Sequence, residues 1–260
     1  MPKASGVQGE LEKVFRKNIP TGGVIASVAV TKSIAGHEKD TAWVKANFSA
    51  LVEEVQVNAY REYQLQEEAA WRAAVDDVML PLFQKGNDAQ HSAKVIAENF
   101  PALDRFFLGL TQGRRVRAGK AFELVIRTLF ILLNYPFTSQ AVINGQPDFI
   151  LPSVEHYRRN PMDVIIFTVK RTLRERWRQI VTEGTRGLGF FLATIDEDIA
   201  QRDLADMLAS RINLVVPTRI KTIREDYQTA ANVITFEDFF QYHLDPAMRR
   251  WEASKAIERS

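Results

Sequence analysis

Asp148 in "QPDFIL" and Lys170 in "DVIIFTVK" are the residues whose types and settings most suggest chemistry. Each lies at the end of a short β-branched and aromatic run bounded by Pro, Asn or Gly, the pattern of a strand. Side chains alternate faces along a strand, so Asp148 shares a face with Ile150, and Lys170 shares one with Thr168 and Ile166. Two neighbouring strands would then present a carboxylate and an ammonium side by side at one end of a sheet. A lysine that ends an apolar strand can equally snorkel into solvent, and Lys170 alone does not decide between the two.

Two more carboxylates bear on the choice. Glu183 lies 13 residues beyond Lys170 and shares a helical stripe with Glu175 and Gln179. The apolar stripe of that helix, Leu173, Trp177, Ile180 and Val181, should pack on the sheet. Glu123 sits in the apolar helical run "GKAFELVI". A charge there needs a partner, and a divalent cation would be one, although a glutamate facing solvent fits the same sequence. An Asp, a Glu and a Lys converging on Mg²⁺ would bind it through hard oxygens and acidify a water beside a phosphate. The lysine would orient that water and offset negative charge in the transition state. His37, His91, His156 and His243 are scattered without ligand spacing and read as structural or surface residues. The chain has no cysteine, which excludes thiolate nucleophiles, disulfides and Cys-based zinc sites.

The elements that must position these residues follow from the pattern of the chain. Residues 1–100 read as a mainly helical N-terminal subdomain, with Trp43, Phe48, Leu51, Val55, Trp71, Val75 and Met79 at three- and four-residue steps. "IPTGGVIASVAVTKSIAGHEKD" reads as irregular, and Pro101 as a break in the helix around it. "TQGRRVRAGK" reads as a basic loop before a buried helix over about residues 119–133. Residues 101–260 then alternate strands ("QPDFIL", "DVIIFTVK", "GLGFFLATI", "NLVVPTRI") with helices, the last two being "DEDIAQRDLADMLASRI" and "TIREDYQTAANV". This is an α/β fold with a mixed central sheet flanked by helices. With 46% hydrophobic residues, 25% charged and a formal charge of +2, any contact with nucleic acid must come from a local patch. No apolar run reaches about 18 residues and the N-terminus has no apolar signal region, so a cytoplasmic protein with no membrane partner is expected.

"PDFILPS" followed by "VKRTLRERWRQI" resembles the PD-(D/E)xK nucleases, and more narrowly the Type II restriction endonucleases of the EcoRII and NgoMIV-like group. That group reads palindromic DNA sites of the CCGG or CC(N/W)GG type. The resemblance covers roughly residues 113–216. It implies a restriction-endonuclease-like core in which Asp148 and Glu183 bind metal, Lys170 is catalytic and Glu123 assists at the metal. Thr168 stands where the usual (D/E)xK carboxylate would be, a departure the group makes by moving that carboxylate to the following helix.

The same resemblance makes Arg174, Glu175 and Arg176 the base-recognition triplet. Arginine forks match guanine O6 and N7, and a glutamate accepts from cytosine N4. Arg171, Arg178, Arg114, Arg115, Arg117 and Lys120 are candidates for contacts to the DNA backbone. A palindromic site implies a homodimer or a higher oligomer, with residues 1–100 serving dimerisation or flanking-DNA contacts. The implied activity is Mg²⁺-dependent double-strand cleavage leaving 5′-phosphates, in a prokaryotic cytoplasm. A low-specificity nuclease of repair or recombination and a non-enzymatic DNA-binding protein are the competing expectations.

Overall fold

A computed structural model describes residues 4–86, 88–141, 146–173 and 189–257, without the side chains of residues 4, 5, 115, 116, 118 and 119. Among these residues six strands form one sheet in chain order: β1 (Thr138–Ser139), β2 (Phe149–Leu151), β3 (Ile165–Val169), β4 (Gly189–Ala193), β5 (Ile212–Val216) and β6 (Val233–Thr235). β1, β2 and β3 pair antiparallel, and β3 to β6 pair parallel. The sheet is therefore mixed, as the sequence predicts. All five residues of β3 are buried, the composition of a strand covered on both sides.

The helices are α1 (Ala4–Asn18), α2 (Gly22–Ser33), α3 (Thr41–Ala46), α4 (Phe48–Ala74), α5 (Leu80–Phe83) after a π turn, and α6 (Ala89–Leu132). Within the sheet region come α7 (Val154–Arg159), α8 (Gln201–Ala209), α9 (Thr218–Ile223) and α10 (Glu225–Thr229). The described chain ends with α11 (Phe236–Phe239) and, after a second π turn, α12 (Asp245–Ala253). One face of the sheet, carrying Ile166, Leu192 and Leu214, packs on Leu204 and Met207 of α8 and on Tyr227 of α10. On the other face Phe149 and Phe167 meet Phe130 of α6, while Phe167 and Phe191 meet Phe239.

The chain divides into two compact units. Met1–Ala29 with Val57–Ala121 form a helical unit whose core includes Leu11, Phe15, Ala70, Ala74 and Phe106. Val30–Gln56 with Phe122–Ser260 form the unit that holds the sheet.

Four local expectations are corrected. The segment expected to be irregular contains α2: its two glycines occupy the first helical positions, where they cost least, and Ile25, Ala26, Ala29 and Val30 are buried. α6 runs through Pro101, because Val95, Ala102 and Phe106 on either side are buried in one core and outweigh the lost backbone hydrogen bond. The stretch expected to be a basic loop is the interior of the same α6. Arg114 and Arg117, three residues apart on one side, both reach Glu67 of α4. The helix predicted to begin at the acidic "DED" starts instead at Gln201, because Asp196 turns its carboxylate to main-chain N–H groups.

Candidate active site

The β2–β3 register, Phe149 opposite Phe167, brings the residue before β2 beside the end of β3. Asp148 is 9% exposed. Its Oδ2 accepts the Val169 N–H at 2.7 Å and lies 3.3 Å from Lys170 Nζ, which donates to it. Lys170 continues the β3–β4 ladder, its N–H donating to Ala193 O at 2.9 Å, so its main chain is fixed while its side chain keeps 37% exposure. A lysine that simply ended a strand would point into water; this one is turned to a carboxylate. The pair joins a buried carboxylate to a lysine that is partly exposed. Among the described residues Asp148 Oδ1 has no hydrogen-bond partner, and the buried Thr168 Oγ1 finds none either.

β1 brings the second carboxylate. Its pairing with β2, Ser139 opposite Phe149, places Gln140 next to Asp148. The Gln140 N–H donates to Asp148 O at 3.2 Å, and its Nε2 donates to Glu123 Oε1 at 3.3 Å. Gln140 therefore links Glu123 to Asp148. Its backbone has φ of 54°, a left-handed conformation that turns the chain out of β1. Glu123 lies two helical turns before Phe130, whose ring packs on Phe149 and Phe167. That packing fixes α6 against the sheet and carries Glu123 to the sheet's edge. Sequence reasoning missed Gln140, since a positive φ at a glutamine leaves no mark in the sequence.

The donors are all oxygens, which fits a hard divalent cation such as Mg²⁺. Among the described residues no group of three or more His, Cys, Asp or Glu comes together, and Glu123 and the main chain of Asp148 are joined through Gln140. Glu183, Arg174, Glu175, Arg176 and Arg178 lie outside the described residues, as does the side chain of Arg115. Arg171 and Lys120 are exposed.

Arg114 and Arg117 have internal partners. Arg114 Nε donates to both oxygens of Glu67, at 3.0 and 2.8 Å. Arg117 donates to Tyr63 OH and stacks over the Tyr63 ring at 4.8 Å, and Tyr63 OH donates to Glu67. Burial pushes the Glu67 carboxyl up, but the hydrogen bonds from Arg114 and Tyr63 outweigh it and hold the group below its ordinary value. Burial, helped by Glu67, pushes the Tyr63 hydroxyl up to about 12.

The histidines have ordinary structural settings. His37 stacks on Trp43, and a His91 ring nitrogen is 3.1 Å from Leu82 O. His156 meets Asp163 at 3.1 Å, and His243 packs edge-on to Phe191, its pKa lowered by burial.

Residues 83–240, more than half of the chain, match the family model described as EcoRII C terminal. The Type II restriction enzyme SsoII of Shigella sonnei is 31% identical over 156 residues, covering 55% of this chain and 50% of that protein. The Type II restriction enzyme EcoRII of Escherichia coli is 32% identical over 139 residues, covering 50% of this chain and 34% of that protein. The chain thus spans half or less of the length of these curated relatives. Metal-depleted Ecl18kI in complex with uncleaved DNA shares the fold, with a TM-score of 0.76 at 21% identity over 99% of this chain and 88% of that one. On the extent of the family match, this chain belongs to the EcoRII C-terminal family.

Proposed function

We propose that this chain is a Type II restriction endonuclease, cutting both strands of DNA at a palindromic site containing CC/GG and leaving 5′-phosphates. The observation that carries this is the Asp148–Lys170 pair at the adjoining ends of β2 and β3. The two relatives, which bear the names of Type II restriction enzymes, support the same reading.

In this reading Asp148, Glu123 and Glu183 hold Mg²⁺, and Gln140 fixes the spacing of the first two. When bound there, the ion supplies charge neutralisation at the scissile phosphate and acidifies the attacking water. The Val169 N–H orients one oxygen of Asp148, and the other would be available to the ion. Lys170 directs its ammonium beside the same carboxylate, where it orients the water and offsets charge developing on the phosphate.

Arg174, Glu175 and Arg176 read the bases, each good bidentate contact contributing about 1–3 kcal/mol of discrimination. Arg171, Arg178, Arg114, Arg115, Arg117 and Lys120 meet the DNA backbone, Arg114 and Arg117 from the Glu67 cluster. One triplet reads half of a palindrome, so the active species is a homodimer.

The test is digestion of a sequenced plasmid with Mg²⁺, followed by run-off sequencing of the ends. Discrete, reproducible fragments cut within a common CC/GG motif are expected, and Asp148→Ala should bind that site without cutting it. A smear would instead indicate a low-specificity nuclease, and no cutting at all would return the chain to a DNA-binding protein.

A further inference from the structure

Lys170 and the Arg174–Glu175–Arg176 triplet are separated in sequence by only Arg171, Thr172 and Leu173. This short connection is held by the loop that follows β4. Thr194 Oγ1 donates to Arg171 O at 3.3 Å, and the Leu173 N–H donates to Asp196 Oδ2 at 2.8 Å. The Leu173 side chain is fully buried in the cluster that contains Ile199 and Tyr227.

The loop is itself fixed. The Asp196 N–H donates to Thr194 Oγ1 at 3.0 Å, and the Asp198 N–H donates to Asp196 Oδ1 at 3.1 Å. The buried Tyr227 hydroxyl donates to Asp196 O at 3.0 Å and accepts from the Ile199 N–H at 3.1 Å. Arg224 donates to Glu197 O at 2.7 Å. The two oxygens of Asp196 thus serve two segments, one on its own loop and one on the connection between Lys170 and the triplet.

We propose that Asp196, with Thr194, is a positioning residue that ties the main chain between Lys170 and the base-reading triplet to the end of β4. The inference rests on the restriction-endonuclease reading above. A shift beyond Leu173, caused by a wrong base pair, would then be transmitted to Lys170 across a connection with little slack. Base recognition would in this way govern the rate of cutting as well as the strength of binding. Misplacing a catalytic group by about 1 Å can cost roughly 100-fold in rate, so a stiff connection suffices.

The experiment uses the full chain and the site mapped from the wild-type plasmid digest. Single-turnover cleavage is measured on a duplex with that site and on one with a single G·C pair changed. Binding of both duplexes is measured without Mg²⁺. Asp196→Ala should lower the ratio of the two cleavage rates by roughly 10- to 100-fold, mainly through slower cognate cutting, with a much smaller change in binding. Asp196→Asn, which keeps one acceptor oxygen, should fall between wild type and Asp196→Ala. Thr194→Val should move in the same direction. Asp198→Ala, whose side chain is 98% exposed, should leave the ratio unchanged.

If wild type gives no discrete fragments, the nuclease reading fails and this inference with it. If wild type cuts at a defined site and the Asp196 and Thr194 variants keep the ratio within about twofold, the inference is overturned while the reading stands. Should Asp196→Ala lose its circular dichroism spectrum, Asp196→Asn and Thr194→Val decide by the same ratio.

Discussion

Lys170 Nζ lies 3.3 Å from Asp148 Oδ2, at the adjoining ends of two strands that pair antiparallel, although the two residues are 22 apart in sequence. The carboxylate is shared between this ammonium and the Val169 N–H at 2.7 Å. The lysine is therefore held at the carboxylate rather than at large in solvent, and it remains accessible to a ligand.

Removing either partner should stop chemistry and spare binding. Lys170→Met and Asp148→Asn are each expected to lower single-turnover cleavage by about 100-fold or more, the scale of a lost acid–base or charge-stabilising group. Affinity for the mapped site, measured without Mg²⁺, should stay near wild type. Equal losses of binding and cleavage would remove Lys170 from the reacting centre.

Gln140 should act through metal affinity. Its amide orients Glu123 while its main chain holds Asp148, and outer-shell groups of this kind are worth about 10- to 100-fold in metal affinity or activity. Gln140→Ala should shift the Mg²⁺ midpoint of cleavage upward by about tenfold, with the rate largely recovered at saturating metal. An unchanged midpoint would show that the Gln140–Glu123 contact has no part in the site.

The Glu67 cluster should make the helical unit sensitive to acid. Glu67 is 7% exposed and its carboxyl is held below the ordinary value, so it contributes stability above that value. The contribution is lost as pH falls through the lowered, folded-state pKa. Thermal unfolding of wild type and Glu67→Gln should differ at pH 7, by about 1–3 kcal/mol for the buried bonds removed. The difference should shrink as pH is taken down through the ordinary carboxylate range and below it. A gap that widened on acidification would reverse the assignment.

Phe130 should be the costliest single residue to truncate near the site. It packs on Phe149 and Phe167 of the sheet and on Tyr135 and Phe48. Phe130→Ala is expected to lose about 3–5 kcal/mol in urea unfolding. It should also weaken Mg²⁺-dependent cutting, since the same helix carries Glu123. Normal stability would mean that α6 is fixed by other contacts.

Much of the sheet is legible in the sequence. "DVIIFTVK" and "GLGFFLATI" read as strands because a buried parallel strand must be apolar on both faces, and β3 and β4 fall within those runs. The described chain also carries no helix long and apolar enough to cross a membrane. The C-terminal helices carry their own mark, since Phe236, Phe239, Phe240 and Leu244 stand at helical spacing and all are buried. The errors at α2 and Pro101 share one cause. Glycine and proline report local preference, and burial of Ile25, Ala29 and Phe106 overrode it.

The placement of Asp148 and Lys170 can be read from the amino-acid sequence: an aspartate before one strand, a lysine after the next, and the faces on which they stand. Those depend on covalent spacing and the two-residue period of a strand. That Gln140 joins Glu123 to Asp148, that Asp196 holds Leu173 and that Arg114 finds Glu67 depends on the folded arrangement. These partners lie 17, 23 and 47 residues apart. No local periodicity encodes such a meeting; it follows from how the strands register and which buried rings, Phe130 and Tyr227 among them, lock the helices and loops in place.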